Sequence, residues 1–185
     1  PFPYLDYMLG IVKLRRLDTS GRSYFRTFLA NTHGQHFIKE TYQKLAWADL
    51  LDGHQEGYKA NMQLALTQGI SSSGGDKNAK KEAQDGIIPN IHLLKARLLF
   101  DGGYYDRANR YLSSFNASNF IFLIHQIEFN YRLGRILHGL ENYDEALIQY
   151  NQTIAMGRNH EAFYACNAAL QAGLIEEKRG RKENA

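Results

Sequence analysis

The residue types able to do chemistry are scattered along this chain. His33 and His36 stand three apart in Asn31-Thr32-His33-Gly34-Gln35-His36. Two imidazoles at that spacing can ligate a metal when they share a helix, but a site needs three or four ligands. Gly34 and Asn31-Thr32 mark a polar connection instead, and no Cys, Asp or Glu lies within that stretch. Cys166 is the only cysteine, so no intrachain disulfide can form. A nucleophilic thiol needs a base and an electropositive setting. Cys166 lies in the apolar run Phe163-Tyr164-Ala165-Cys166-Asn167-Ala168-Ala169-Leu170, which reads as the place of a small core residue. Ser71-Ser72-Ser73 has no nucleophile-elbow context, and Gly74-Gly75-Asp76-Lys77 lacks both the Walker spacing and a preceding strand. No convergent set of acid, base or metal ligands emerges, so the expectation is no enzyme within these residues, no catalytic residue, no cofactor and no metal.

Composition narrows the partner classes. The formal charge of +3 is too small to argue for nucleic acid, and no arginine-rich tract with stacking aromatics stands out. No run of about 18 apolar residues marks a membrane span. With only Pro1, Pro3 and Pro89, long stretches are free of the strongest helix breaker.

The elements that must carry any binding surface read as helices throughout. The spacing predicts helices over 4–17, 20–30, 38–51, 56–68, 90–101, 104–115, 119–140, 143–156 and 161–178, with another starting at Arg181. Ala146, Leu147, Tyr150 and Ile154 follow the apolar spacing of one helix face. The connections are short and built from Gly, Asn and Asp, as at Asp52-Gly53, Asp101-Gly102-Gly103 and Glu141-Asn142, which suits antiparallel helix pairs. Residues 69–88 differ: Gly and Ser there predict a flexible, solvated insertion with room for one short polar helix at 77–83.

A unit recurs along the chain. Leu133-Gly134 is followed by Asn142-Tyr143-Asp144, Ala146 and Tyr150. Lys95-Ala96 is followed by Gly103-Tyr104-Tyr105-Asp106, Ala108 and Leu112. Leu45-Ala46, Leu9-Gly10 and Ala172-Gly173 open similar hairpins, the last running on to Gly180 and Ala185. A small residue in the first helix lets its partner approach, and an aromatic or Leu fills the space one turn beyond the small residue of the second. This pattern resembles the tetratricopeptide repeat, whose unit is about 34 residues long.

The resemblance implies an all-α solenoid of antiparallel helix-turn-helix hairpins wound into a right-handed superhelix. The expected organisation is irregular hairpins over 1–68, the insertion over 69–88 and repeats over 89–185, the last one truncated. It also implies a noncatalytic interaction scaffold, in the style of bacterial repeat proteins, presenting a concave groove to a protein or peptide. The first helix of each pair would line that groove, through Tyr7, Trp47, Arg97, Tyr131, Arg135, His138 and Leu174, with Ile11, Gln43, Leu93 and Leu170 beside them. Trp47 has a second reading as a packed core residue, since Trp is highly buried on average. Arg97 and Arg135 have another as members of local pairs with Asp101 or Glu128. Tyr131 and Arg135 stand where one subfamily's carboxylate clamp needs Lys and Asn, so that clamp is not expected. The rival reading is a helical accessory region of a larger enzyme or cell-envelope complex. A truncated last repeat would leave Phe163, Leu170 and Leu174 uncovered, with a homodimer of the fragment as one consequence.

Overall fold

The computed structural model describes residues 2–180. They form ten α-helices and two short 3₁₀ turns, with no strand among the described residues. In chain order these are α1 (Pro3–Arg15), α2 (Arg22–Asn31), α3 (Ile38–Leu51), α4 (Gln55–Thr67), α5 (Gly74–Asp85), α6 (Ile91–Asp101), α7 (Tyr105–Leu112), α8 (Leu123–Gly139), α9 (Tyr143–Gly157) and α10 (Tyr164–Lys178). The expected helix at Arg181 and the small-residue position Ala185 lie outside the described residues. The chain divides into two units, 1–94 and 95–185, the division falling inside α6.

Local chemistry sets the helix ends. Pro3 opens α1, where its missing N–H is harmless. Asp18 caps the 3₁₀ turn before α2 by accepting from the Ser20 N–H at 3.0 Å. The expected helix start at Asn119 is displaced to Leu123, because Asn116 and Asn119 close a reciprocal capping box around a 3₁₀ turn instead.

One backbone feature recurs at the spacing of the small residues. Leu17, Gly53, Gly103, Glu141 and Gly180 all adopt left-handed φ, between 62° and 79°. Each stands seven residues after one of the small residues Gly10, Ala46, Ala96, Gly134 and Gly173. Each is the second residue beyond the end of its helix, α1, α3, α6, α8 or α10. A left-handed residue there turns the chain sharply enough to stop a helix. Only three of the five are Gly, so Leu17 and Glu141 hold a conformation that ordinarily costs a side chain about 1–2 kcal/mol.

In the first unit α1 packs on α2 and α3 on α4. Tyr7 lies 5.6 Å from the Phe28 ring and 5.3 Å from Phe37, centroid to centroid. A Cβ built on Gly10 would come 2.6 Å from the Phe25 ring, so only Gly allows that approach of α1 and α2. In the second unit α8 packs on α9 and α9 on α10. Tyr131, Ala146, Tyr150, Ala168 and Ile175 form its buried centre, with Leu137, Leu147 and Tyr164 against it.

Residues 69–88, whose composition reads as a flexible connection, hold α5, longer at both ends than the expected 77–83. This helix packs against both α3 and α4.

Candidate functional site

The solvent-side chemistry of the second unit gathers on α6, α8 and the start of α10. The Arg135 guanidinium sits 4.8 Å from the Phe100 ring centroid and donates through Nη1 to the Tyr131 hydroxyl at 3.0 Å. One turn back on α8, Arg132 donates twice to Glu128 Oε1, at 3.0 and 2.7 Å. Burial opposes the charge of Arg132, and the Glu128 carboxylate outweighs it, with further support from Tyr164 and Asp101. The guanidinium is therefore held above its ordinary value. Tyr164 of α10 is pushed up by burial and by Glu128, while Arg132 and Arg97 pull the other way. Arg97, Arg132, Glu128, Asp101 and Tyr164 thus share one electrostatic neighbourhood.

Arg97 pairs with Asp101 at 3.7 Å, one turn along α6. Glu128 serves Arg132 rather than Arg135. His138 ends this line on α8, its Nδ1 3.3 Å from the Tyr150 hydroxyl and its ring edge-on to Tyr143 and Tyr150. Burial lowers its pKa first, and the nearby cations Arg135 and Lys178 lower it further.

The expected groove residues therefore divide. Arg97, Arg135 and His138 are half-buried on the second unit, their polar atoms already engaged. Leu174 and Leu170 are exposed on α10, as is Phe163 just before it. Tyr131 is buried, with only its hydroxyl serving Arg135. Tyr7 and Trp47 are buried within the first unit, as are Ile11 and Gln43, and Leu93 is fully enclosed. Their large rings and aliphatic chains fill helix–helix space there, so as folded they wall no open groove. For Trp47 the core reading is the one the structure matches.

One other expectation changes. Cys166 is exposed rather than a core residue. Its apolar neighbours Phe163 and Leu170 lie on the same open side of α10, so the apolar run does not mark a buried face there. His33 and His36 line an open, largely apolar concavity of about 710 Å³ together with Tyr4, Phe28 and Phe37. The His36 ring meets the Ser72 hydroxyl. Among the described residues no group of three or more His, Cys, Asp or Glu could hold a metal ion. No described helix is long and apolar enough to cross a membrane.

Sequence reasoning passed over Arg132, named Glu128 only as a partner for Arg97 or Arg135, and gave Phe100 and Tyr164 no part in the site. The spacing of Glu128 and Arg132, one turn apart with opposite charge, was the available signal. Compared with family models, with curated proteins and with solved structures, this chain finds no match.

Proposed function

We propose that this chain is a noncatalytic protein-interaction scaffold of tetratricopeptide-like hairpins, and that α6, α8 and α10 present the face that takes a protein or peptide partner. The supporting observation is Arg135. Its guanidinium is stacked on Phe100 and fixed by the Tyr131 hydroxyl, so a cation is pre-oriented on a half-buried surface. Arg97 stands nearby with the pair to Asp101. Exposed Leu170 and Leu174 add apolar area on α10. A fixed Arg among aromatics is the combination found at binding hot spots. Acidic peptides with one or two apolar anchors match this chemistry. The recurrence of a left-handed turn after each first helix supports the hairpin reading of the scaffold.

The test is a titration of the isotope-labelled chain with acidic peptides that carry apolar anchors. Resonances of Arg97, Tyr131, Arg135 and His138 should shift together and saturate. Replacing Arg97 and Arg135 with Glu should weaken binding by about 2–5 kcal/mol for each charged contact that is desolvated in the complex. Circular dichroism of the double variant should remain that of the parent. Saturation elsewhere, or equal affinity in the folded double variant, refutes the reading.

A further inference from the structure

The polar helix α5 is joined to the first unit by two carboxylates that perform different tasks. Asp76 is fully buried. It accepts from the backbone N–H of Phe37 at 2.9 Å and of Glu40 at 3.1 Å, the amides that open α3. It also accepts from the Ser73 hydroxyl at 2.8 Å. A carboxylate there supplies the cap that α3 lacks from its own chain, since Phe37 offers no capping side chain. The contact is reciprocal. Glu40, in the first turn of α3, lies over Gly75 at the start of α5, so closely that a Cβ at Gly75 would overlap its carboxylate. Each helix places an acidic side chain at the amino end of the other, where the helix dipoles favour it.

Glu82 makes the second attachment, near the far end of α5. Its Oε1 accepts from the Trp47 indole N–H at 2.8 Å and its Oε2 from the Gln43 amide at 2.6 Å. The Lys44 ammonium lies 3.9 Å from the Trp47 ring centroid. It also pairs with Glu40 at 3.5 Å. The Tyr58 hydroxyl of α4 lies within the field of Glu82. Two N–H donors of α3 thus meet at the Glu82 carboxylate, with the Lys44 cation on the Trp47 ring and the Tyr58 phenol of α4 within the carboxylate's field.

What holds α5 on that surface is almost wholly polar. Its sequence, Gly-Gly-Asp-Lys-Asn-Ala-Lys-Lys-Glu-Ala-Gln-Asp, has no apolar side chain larger than Ala. Only Asp76 and Ala79 are buried. A 12-residue helix without an apolar face is marginal by itself. The tethers are unequal. Before α5 the chain is pinned, with Ile70 N–H donating to the Gln35 carbonyl at 3.2 Å and Gly69 packed on Ile38. After α5, Gly86 is left-handed and Ile87 is exposed. The amino end is thus an anchor, and the carboxyl end rests on the Glu82 contacts.

We propose that α5 is a hinged, self-supplied ligand, anchored at Asp76 and latched at Glu82, and that the Trp47, Gln43 and Tyr58 surface beneath the latch is a recognition site for a carboxylate on an acidic helical segment of a partner. Lifting the latch frees two donors without disturbing the cap on α3. The incoming acidic side chain then takes the place of Glu82.

Trp47 is the chain's one tryptophan, so its emission reports the latch directly. Three measurements on the full chain decide the matter. In the unmodified chain, amides of 79–85 should exchange at least ten-fold faster than those of α3 and α4. In Glu82→Gln, Trp47 emission should shift to the red and become more open to acrylamide, while the main unfolding transition is retained. A labelled peptide copying residues 73–85 should bind Glu82→Gln at least ten-fold more tightly than it binds the unmodified chain. The same peptide with Gln in place of its Glu should not bind. Lys81→Pro, at an exposed position of α5, breaks that helix before Glu82, leaves Gln43 and Trp47 intact, and replaces Glu82→Gln if that variant does not fold. Exchange of 79–85 in step with α3 and α4, or an unlatched chain that takes neither peptide, overturns the proposal and makes α5 a fixed part of the unit.

Discussion

Gly134 of α8 faces the ring of Tyr150 of α9, and a Cβ added to Gly134 would come 2.8 Å from two atoms of that ring. Tyr150 is fully buried, so its ring has no free space to retreat into. Gly134→Ala therefore opposes two effects. Helix propensity gains roughly 0.5–1 kcal/mol. Overpacking costs about 1–3 kcal/mol, and the cost wins at this position. Urea denaturation should show a lowered midpoint for Gly134→Ala and a larger loss for Gly134→Leu. Gly74→Ala is the control, because a Cβ there meets nothing within 4 Å. That variant should be neutral or slightly more stable. A raised midpoint for Gly134→Ala would show that the two helices separate without loss.

The pair Glu128–Arg132 carries the next prediction. Both side chains are largely enclosed, 15% and 13% exposed. Removing one partner of such a pair leaves the other charge uncompensated, which costs about 3–5 kcal/mol, whereas replacing both by apolar residues is often nearly neutral. Glu128→Gln should thus destabilise strongly, and Glu128→Leu with Arg132→Met should recover most of the loss. A double-mutant cycle on denaturation midpoints checks this. Equal, additive losses in the two single variants would mean that the ions are solvated separately.

Helix placement was legible in the sequence, and α3 at Ile38–Leu51 falls on its expected bounds because its stop at Asp52-Gly53 is local, although the carboxylate that caps its start comes from Asp76, far along the chain. The latch on Trp47 was not. Its acceptor, Glu82, lies 35 residues away. It sits in the segment read as a flexible insertion with room for a short polar helix at 77–83, and the lack of an apolar stripe there gives no sign of what that helix packs against. Helix periodicity also marks which side chains form a stripe without saying which stripe a neighbour covers. Tyr7 and Tyr131 lie on covered stripes and are buried, whereas Leu170 and Cys166 lie on an open one. Arg97 and Arg135 were named because both occupy first helices. The stack on Phe100 joins a residue of α6 to one of α8, a relationship that no single segment encodes.

His138 makes stability depend on pH. Burial, then Arg135 and Lys178, lower its pKa below the ordinary value of 6.5. Between the folded and unfolded values the unfolded chain binds more protons, so stability rises with pH across that window. The contribution is fully present above 6.5 and is lost as pH falls from there through the folded value. Replacing His138 with Phe keeps a ring against Tyr143 and Tyr150 and removes the titration. Denaturation midpoints measured from pH 7.5 downward should fall less steeply below pH 6.5 in the variant. Parallel curves for the two proteins would show that the ring titrates alike folded and unfolded.

Adjacent residues on α10 provide the sharpest test of its register. Leu174 is 46% exposed, and Ile175 is 1% exposed at the centre of the second unit's core. Leu174→Asp places a charge in water, where substitutions usually stay within about 0.5 kcal/mol. Ile175→Ala leaves a cavity among Tyr131, Ala146 and Tyr150 and should cost about 2–5 kcal/mol. Leu174 also continues the exposed line of Phe163 and Leu170, at 56% and 59%. Contiguous apolar area of that kind favours association. Sedimentation of the unmodified chain should therefore show concentration-dependent self-association, suppressed when Leu170 and Leu174 both become Asp. The same double variant should keep its denaturation midpoint at low concentration. If instead Leu174→Asp unfolds the chain and Ile175→Ala is tolerated, α10 is turned by about 100° from its described register, one residue of a 3.6-residue turn.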